Sequence, residues 1–151
     1  MFCPPKIEMF REPRAAQDIS GFALGGSELL NLLSMFDPYG AWRLDIESGL
    51  AYWTHDIFEI HEMEPRAGPI NLTEALNCYY PEDRIRLAGA IADVIEKKSG
   101  YRAIVRVACR KNGYRFVKTI GRYRTNPEGR EEIIGIYTRV PYPEPAIALV
   151  E

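Results

Sequence analysis

The acidic and basic side chains best placed to do chemistry together lie in one short stretch, residues 55–62. The stretch contains two histidines and three acids: His55, Asp56, Glu59, His61 and Glu62. His55 and Glu59 are four residues apart, so on a helix they would share a face at a spacing that metal ligands also use. Two such residues at helical spacing often occur by chance. We therefore predict neither a metal site nor a catalytic site here.

A second candidate for chemistry is the acidic start of a long amphipathic segment. Pro81-Glu82-Asp83 is typical of a helix N-terminus, where proline fits the first turn and acids stabilise the positive end. Apolar residues then recur at helical spacing as far as Lys97-Lys98, and Gly100 is the expected stop. These roles explain both acids without a site. We expect Arg84 to pair with a nearby carboxylate and fix the preceding loop.

Residues 101–124 carry a concentrated positive charge, with eight basic residues and no acid. The eight are Arg102, Arg106, Arg110, Lys111, Arg115, Lys118, Arg122 and Arg124. One interpretation is a solvated sheet face whose charges discourage aggregation. The other is a docking surface for an acidic partner, an acidic nucleotide or the acidic half of a second subunit. The candidate interaction residues chosen from this stretch are Arg102, Arg106, Arg110 and Arg115.

The same stretch opens a run of three predicted antiparallel strands. Every second residue from Tyr101 to Cys109 is hydrophobic while arginines occupy the other parity, which is typical of a strand with one buried face. Asn112-Gly113 predicts a type I′ hairpin turn, because both central residues of that turn need positive φ. The second strand is predicted over Tyr114–Tyr123, and the third over Glu131–Val140.

Shorter elements precede the long helix. Ser27 is expected to cap a helix over Glu28–Phe36, whose many leucines require burial on its own sheet or on a second subunit. The further predictions are a hairpin of Ala41–Ile46 and Leu50–Trp53, a helix over His55–Ile60 capped by Thr54, and a helical turn over Leu72–Asn77. This order predicts an α+β fold, a five-stranded antiparallel sheet with helices packed on one face.

The totals are those of one globular domain. The 151 residues are 46% hydrophobic and 26% charged, which is ordinary for such a domain. We expect a flexible arm over residues 1–26, the domain over 27–140 and a Pro-rich tail over 141–151. A net charge of −2 argues against nucleic acid as a partner, and no apolar run is long enough to cross a bilayer. Three widely spaced cysteines without a C-x-x-C motif indicate reduced thiols in the cytoplasm.

Several motifs, taken in order and spacing, resemble a PAS domain with a PAC-like second half. They are Gly40–Asp45, Gly49–Thr54, Phe58–Ile60, Tyr80–Arg84, Arg106 with Lys111–Val117, and Gly135–Thr138, within residues 36–140. The chain departs from that pattern at Tyr80, where the family usually has histidine, and at Glu62, where it has glycine. The resemblance implies strand order 2-1-5-4-3, helices over the inner face, and an N-terminal helix on the outer face or at a dimer interface. It also places the acids and histidines of residues 55–62 on the exposed side of a short surface helix.

The resemblance bears on cofactors as well. Asn77-Cys78 resembles the photoactive cysteine of flavin-binding LOV domains, but Tyr79-Tyr80 stand where those domains continue with Arg and Gln. Haem-binding PAS domains use a histidine on the long helix, and residues 81–99 contain none. We therefore predict no flavin and no haem, and leave open an unidentified small ligand. The candidate cavity residues are Trp53, Phe58, Leu76, Leu87, Ile91, Val105, Val107 and Phe116, for which a filled hydrophobic core is the alternative.

The function these observations favour is a non-enzymatic, cytoplasmic sensor or interaction module acting in trans on a signalling partner such as a sensor histidine kinase. The sequence shows no kinase, cyclase or helix-turn-helix motif of its own. A homodimer is expected through the N-terminal helix and the outer sheet face, with Leu29, Leu32, Leu33 and Phe36 as its candidate residues. One alternative is a PAS sensor that binds a small ligand or cofactor. Another is a small cone-type isomerase or hydratase, which would need Asp and His inside the sheet, where the inward parity is almost purely apolar.

Overall fold

The computed structural model describes residues 6–10, 12, 14–109 and 113–140. Cys3, Arg110, Lys111, Asn112 and the predicted tail lie outside these residues. The strands are β1 (Lys6–Phe10), β2 (Tyr39–Asp45), β3 (Leu50–Trp53), β4 (Ile70–Asn71), β5 (Gly100–Cys109), β6 (Gly113–Thr125) and β7 (Glu131–Arg139). The helices are a 3₁₀ turn (Ser20–Phe22), α1 (Gly26–Leu33), α2 (His55–Ile60), α3 (Leu72–Leu76) and α4 (Pro81–Lys97).

The described strands form one antiparallel sheet in the order β1-β5-β6-β7-β2-β3-β4. The five strands from β5 to β3 have the predicted order 2-1-5-4-3 when they are counted without β1 and β4. The α+β class and this order are therefore confirmed. The sheet is wider than predicted, because β1 pairs with β5 inside the segment expected to be an arm, and the two-residue β4 pairs with β3.

The N-terminal helix differs from the prediction in its ends and its surroundings. α1 has Gly25 at its N-cap position, one residue before Gly26, so Ser27 lies inside the helix. The helix ends at Leu33 rather than Phe36. None of its residues is buried in this chain. Of the two burial partners expected for its leucines, its own sheet is therefore excluded.

Two other helix ends also differ from the prediction. Lys98 takes the left-handed conformation that ends α4, with φ at 50°, so Gly100 opens β5 instead of stopping the helix. Thr54 occupies the N-cap position of α2, but its hydroxyl accepts a hydrogen bond from the N–H of Ala41 on β2. Thr54 therefore ties the helix to the sheet rather than capping it.

The β5–β6 hairpin forms, but in a different register from the predicted one. Cys109 pairs with Gly113, so three residues lie between the paired positions. A two-residue type I′ turn centred on Asn112-Gly113 would instead have paired Lys111 with Tyr114. The inward parity of β5 is nevertheless as predicted, because Ala103, Val105 and Val107 are fully buried.

Helices α2, α3 and α4 cover one face of the sheet, which we call the inner face. Leu87 and Val94 of α4 are at most 2% exposed and belong to the same apolar cluster as Val105, Val107 and Val117. Burial of this stripe against the sheet is the main stabilising contribution to such an arrangement. The opposite side of the sheet, which carries Arg43, Ile120, Arg122, Ile134 and Ile136, we call the outer face.

The Trp42 side chain lies on the inner face, across strands β7 and β6. Its ring lies over two glycines of neighbouring strands, Gly121 on β6 and Gly135 on β7, where any Cβ atom would collide with it. Its Nε1 donates hydrogen bonds to the Thr119 hydroxyl and the Ile136 carbonyl, both at 3.1 Å. The glycines therefore serve close packing of an aromatic ring rather than a turn.

The start of α4 is fixed to the free edge of β5 by one carboxylate. Asp83, fully buried, accepts hydrogen bonds from the backbone N–H of Arg106 at 2.7 Å and from its guanidinium at 2.6 and 2.9 Å. Arg106 is 1% exposed. Its guanidinium lies 4.0 Å from the ring centre of Tyr80 and 5.5 Å from that of Tyr114. The hydrogen bonds to Asp83 raise the pKa of Arg106 further above its usual range. Asp83 thus attaches the start of α4 to β5 through an ion pair, in addition to stabilising the positive end of the helix.

The loop before α4 is held by a neighbouring arginine. Arg84 donates hydrogen bonds to the carbonyls of Leu76, Asn77 and Tyr79. The expectation that Arg84 fixes this loop is correct, but its partners are carbonyl oxygens rather than a carboxylate. The loop itself pairs with β5, because the Tyr80 N–H reaches the Arg106 carbonyl at 2.9 Å.

We predict that Asp83→Asn will destabilise the chain strongly, because it removes the buried carboxylate that pairs with the Arg106 guanidinium. Breaking a buried ion pair from one side costs on the order of 3–5 kcal/mol. The measurement is the free energy of unfolding from urea titration. Glu82→Gln is the matched control, since Glu82 is 76% exposed and 3.8 Å from the same guanidinium, and it should cost less than about 1 kcal/mol. Equal losses for the two variants would contradict the assigned role of Asp83.

Candidate functional site

A polar and aromatic cluster lies inside the sheet, at the end of α2. His61, which follows α2 directly, is 7% exposed and stacks on the Trp53 ring with centres 4.9 Å apart. Its Nε2 lies 2.9 Å from the hydroxyl of Tyr137 on β7, which also hydrogen-bonds the hydroxyl of Tyr79. We call His61, Trp53, Tyr79 and Tyr137 the interior cluster. The expectation that His61 lies on an exposed surface is wrong.

Burial controls the protonation of the interior cluster. It lowers the pKa of His61 to about 4, so the imidazole is neutral at physiological pH. It raises the pKa values of the Tyr79 and Tyr137 phenols, which stay protonated. The Nδ1 atom of His61 is buried and has no hydrogen-bond partner. The cluster therefore offers one unsatisfied hydrogen-bonding atom to the protein interior.

Most of the predicted cavity residues do point inward. Leu87, Ile91, Val105 and Val107 belong to the main apolar cluster, and Leu76 and Trp53 pack against it. Phe58 is buried in a smaller cluster with Ile70 and Ala75. Phe116 is the exception, because Val117 takes the inward position on β6 and the Phe116 ring contacts Tyr114 instead. The prediction that Phe116 points inward is wrong, because the neighbouring residue Val117 does so.

The rest of the acid and base stretch stays at the surface. The His55 side chain is 71% exposed, and its Nδ1 lies 3.3 Å from Asp56. Among the described residues, no group of three His, Cys, Asp or Glu side chains is arranged to hold a metal ion. The two histidines, six residues apart in the sequence, are thus in different environments: His55 is exposed to solvent and His61 is buried in the core.

The residues around Cys78 do not fit a flavin. Burial raises the pKa of the Cys78 thiol, which donates a hydrogen bond to the Glu74 carbonyl at 3.6 Å. Tyr79, the next residue, fills the adjoining part of the interior with a ring that is 8% exposed. The position after the thiol is thus taken by an aromatic ring that packs into the core.

The α1 segment presents an exposed apolar surface. Leu29, Leu32 and Leu33 are 40%, 55% and 45% exposed, at a spacing that places them on one face of α1. Phe36, three residues beyond the end of the helix, is 91% exposed. Met35 is 62% exposed and Phe22, in the preceding 3₁₀ turn, is 74% exposed. We call these six residues the α1 patch. Clustered apolar side chains of this size are unusual on a monomer surface and mark interaction sites.

Four of the six described basic side chains of residues 101–124 are paired within the chain. Arg102 contacts Glu8 at 2.8 Å, Arg115 contacts Glu62 at 3.9 Å, and Arg124 contacts the buried Glu132 at 2.7 Å. Arg106 is buried on Asp83, so its assignment to an interaction surface is wrong. Among the described residues of the stretch, only Lys118 and Arg122 have no ion-pair partner. Arg110 lies outside the described residues.

The outer face contains a depression of about 610 Å³, which we call the outer trough. Its lining on the outer face consists of Phe10, Ala41, Arg43, Tyr52, Thr54, Ile120, Arg122, Arg124, Ile134 and Ile136. The floor is therefore isoleucine and alanine, and the charged groups of this lining are three arginines. Arg43 lies with its guanidinium 3.9 Å from the centre of the Tyr52 ring. Sequence reasoning missed this depression, because its lining comes from five separate strands.

Comparison with known proteins identifies the fold. No protein-family model matches the sequence, and no curated protein matches it. Among solved structures, a sensory box histidine kinase/response regulator from Burkholderia thailandensis matches with a TM-score of 0.57 and 23% identity, over 73% of this chain and 82% of that one. No described helix is long and apolar enough to cross a membrane.

Two further solved structures give the same result. The N-terminal domain of a diguanylate cyclase with PAS/PAC sensor from Marinobacter aquaeolei matches with a TM-score of 0.58 and 16% identity, over 67% of this chain and 94% of that one. An RNA-binding Light-Oxygen-Voltage receptor matches with a TM-score of 0.59 and 14% identity, over 75% of this chain and 33% of that one. With the strand order described above, these similarities show that the chain has the fold of a PAS domain.

Proposed function

We propose that this chain is a non-enzymatic sensor and interaction module that acts in trans on a signal-transduction partner, such as a sensor histidine kinase, in the cytoplasm. The exposed α1 patch carries the proposal, because it gives a PAS fold a surface suited to another protein. The solved structures with the same fold come from a histidine kinase, a diguanylate cyclase and a light receptor. Their occurrence in signalling proteins supports a signalling role here.

We also propose that the chain forms a homodimer through the α1 patch. Leu29, Leu32, Leu33 and Phe36 make no buried contact within their own chain. A second copy is always present at the same concentration, and closed twofold assemblies are the commonest solution for such a surface. Dimerisation would bury these side chains, as their leucine-rich pattern predicts.

Nucleic acid is not the partner that the charges favour. The RNA-binding receptor shares the fold but only 14% identity. In this chain the arginines Arg102, Arg106, Arg115 and Arg124 are engaged by carboxylates. Binding to phosphate depends on several free cations that release counterions together. A protein partner with an apolar contact surface suits this chain better.

We predict that the tagged full chain will enrich a signalling protein, such as a histidine kinase or its response regulator, from a lysate of its source organism. Leu32→Glu should lose that enrichment, because it places a charge in the middle of the α1 patch. Ile85→Glu is the matched control, since Ile85 is an exposed apolar side chain on α4 (75% exposed) that is not part of the α1 patch, and it should behave like the unmodified chain. Quantitative mass spectrometry of the three eluates is the measurement. Equal enrichment by both variants, or no signalling protein in any eluate, would contradict the proposal.

A second candidate function is the sensing of a small ligand, and the interior cluster favours it. The buried Nδ1 of His61 has no partner, and a molecule with a hydrogen-bonding group could satisfy it. If such a ligand is bound, mass spectrometry of the denatured protein purified under native conditions should reveal a co-purifying small molecule. His61→Phe should then lose that molecule, whereas His55→Phe should retain it. A purified chain that carries no molecule under these conditions would contradict this candidate.

The isomerase or hydratase alternative has less support. It required an acid and a histidine together inside the sheet. His61 is inside and its pKa is lowered, but its contacts are the rings of Trp53, Tyr79 and Tyr137 and one phenol oxygen, with no carboxylate among them. Burial alone explains its low pKa.

His61 should make folding stability depend on pH. Its folded-state pKa of about 4 lies below the model-peptide value of 6.5, so the unfolded chain binds the proton more tightly and stability falls as the pH drops below about 6.5. Between pH 7 and 4.5 the loss from this one group is on the order of 2–3 kcal/mol. Urea unfolding of the unmodified chain and of His61→Gln at both pH values measures it, since glutamine does not titrate. His55→Gln should retain the full loss, and an equal pH dependence in all three proteins would contradict the assignment.

A further inference from the structure

Strand β1 ends the sheet, and one of its two sides has no partner strand among the described residues. β1 pairs with β5 along Lys6–Phe10 and is the terminal strand in the sheet order. The end strand of a sheet presents backbone N–H and C=O groups that a further strand can bind. The pairing of β1 with β5 thus moves the open edge of this sheet from β5 to β1.

Alternation along the strands identifies the backbone groups of β1 that face the open side. On β5 the backbone groups of Arg106 and Ala108 point away from β6, because they bond to the loop before α4. Every second residue of a strand has the same orientation, so the even-numbered residues of β5 also direct their groups toward β1. Their partners in the register are the even-numbered residues of β1. Ile7 and Met9 therefore direct their N–H and C=O groups to the open side.

The side chains of β1 divide between the two faces of the sheet. Ile7 packs against the main apolar cluster on the inner face. Lys6 and Glu8 have the other parity and lie on the outer face, where their charged groups are 2.9 Å apart. Glu8 also contacts Arg102 of β5 at 2.8 Å. The Lys6 side chain is 67% exposed and that of Glu8 is 40% exposed, so the edge presents a base and an acid on either side of Ile7.

This charge pattern is complementary to itself. Directly opposite residues of an antiparallel pair lie on the same face, so a strand that extends the sheet must keep its apolar side chains on the inner face. A second copy of β1 does so in two central registers. With Glu8 opposite the second copy's Glu8, two acids would face each other, which is destabilising. With Ile7 opposite the second copy's Ile7, each Lys6 lies opposite a Glu8, so only this register joins opposite charges.

We propose that β1 pairs antiparallel with β1 of a second copy about a twofold axis at Ile7, so that the two sheets become one. The two Ile7 residues exchange backbone hydrogen bonds, and each Lys6 and Glu8 form a pair without backbone bonds, whose Cα atoms approach to about 4.5 Å. The contact uses the open side of both copies and therefore ends after two chains.

This edge contact goes beyond the homodimer of the proposed function, because it involves no residue of the α1 patch. Its charges also restrict the partner: a strand without the complementary order of acid and base would leave Lys6 and Glu8 unmatched. A chain that makes both contacts forms assemblies larger than a dimer. Five residues a side make a small interface, so the edge contact alone is a weak one.

Cysteine cross-linking of the full chain tests this register. The background carries Leu32→Glu and serine in place of the three cysteines, so that neither the α1 patch nor a natural thiol contributes. Ile7→Cys should form a disulfide-linked dimer with oxidised glutathione, because Cα atoms of a hydrogen-bonded pair are about 5.5 Å apart, within the disulfide range. Met9→Cys is the matched control. Met9 faces the same open side and is 41% exposed, but its counterpart is displaced by about 14 Å along the strand, so it should cross-link at least about tenfold more slowly.

The charges are tested in the same background. Lys6→Glu should slow cross-linking through Ile7→Cys about tenfold or more, because it places two acids opposite each other. Lys6→Arg should retain the rate to within about threefold, since it keeps the charge. Arg86→Glu, which reverses an exposed arginine on α4, should leave the rate unchanged. Circular dichroism checks that each variant is folded. If Ile7→Cys disturbs folding, sedimentation of the Lys6 variants with Ile7 intact measures the same contact as a dimer dissociation constant.

The outcomes separate the edge contact from the proposed homodimer. If Ile7→Cys cross-links no faster than Met9→Cys, the strands do not pair at Ile7 and the inference is overturned. If Lys6→Glu changes the rate no more than Arg86→Glu does, the charges do not select the register, which also overturns it. The homodimer is measured by sedimentation of the unmodified chain against Leu32→Glu, and either contact can fail while the other stands.

Discussion

The three-part contact of Asp83 with Arg106 is the constraint on which the rest of this structure depends. The Asp83 carboxylate accepts hydrogen bonds from the backbone N–H of Arg106 and from two nitrogens of its guanidinium. Asp83 also lies in the first turn of α4. The position of α4 over the inner face therefore follows from a polar joint, and the apolar stripe of Leu87 and Val94 then closes the core. An acid that is paired with one guanidinium and accepts three hydrogen bonds can be buried where an unpaired one could not.

The general architecture followed from local patterns in the sequence. Two-residue alternation in β5 depends only on neighbouring residues, and Pro81 with the apolar spacing after it indicates α4. β1 could not be predicted in this way, because Lys6–Phe10 is a mixed segment that becomes a strand only by pairing with Gly100–Ile104. The register of the β5–β6 hairpin was likewise set by the long pairing of the strands rather than by the Asn-Gly pair.

The candidate sites were harder to predict, because burial of a polar residue depends on partners distant in sequence. His61 carried a usable signal, since it lies four residues after the buried Ile57 and continues the inward face of α2. Arg106 carried none, because its burial requires Asp83, Tyr80 and Tyr114 from other elements. The charge count of residues 101–124 was correct, yet it overstated the basic surface because Glu8, Glu62 and Glu132 lie opposite the arginines in space.

The pairing along β5 has a consequence for solubility of the folded chain. β5 pairs with β6 along one side, and its other side would otherwise offer the outward-pointing N–H and C=O groups of a ten-residue strand to any extended chain. β1 covers its first half through Lys6–Phe10, and the Cys78 carbonyl and Tyr80 N–H cover Arg106 and Ala108. The free edge of β5 is thus covered by two segments that are far apart in the sequence, β1 and the loop before α4. A strand protected in this way cannot template the stacking of further strands that leads to fibrillar aggregates.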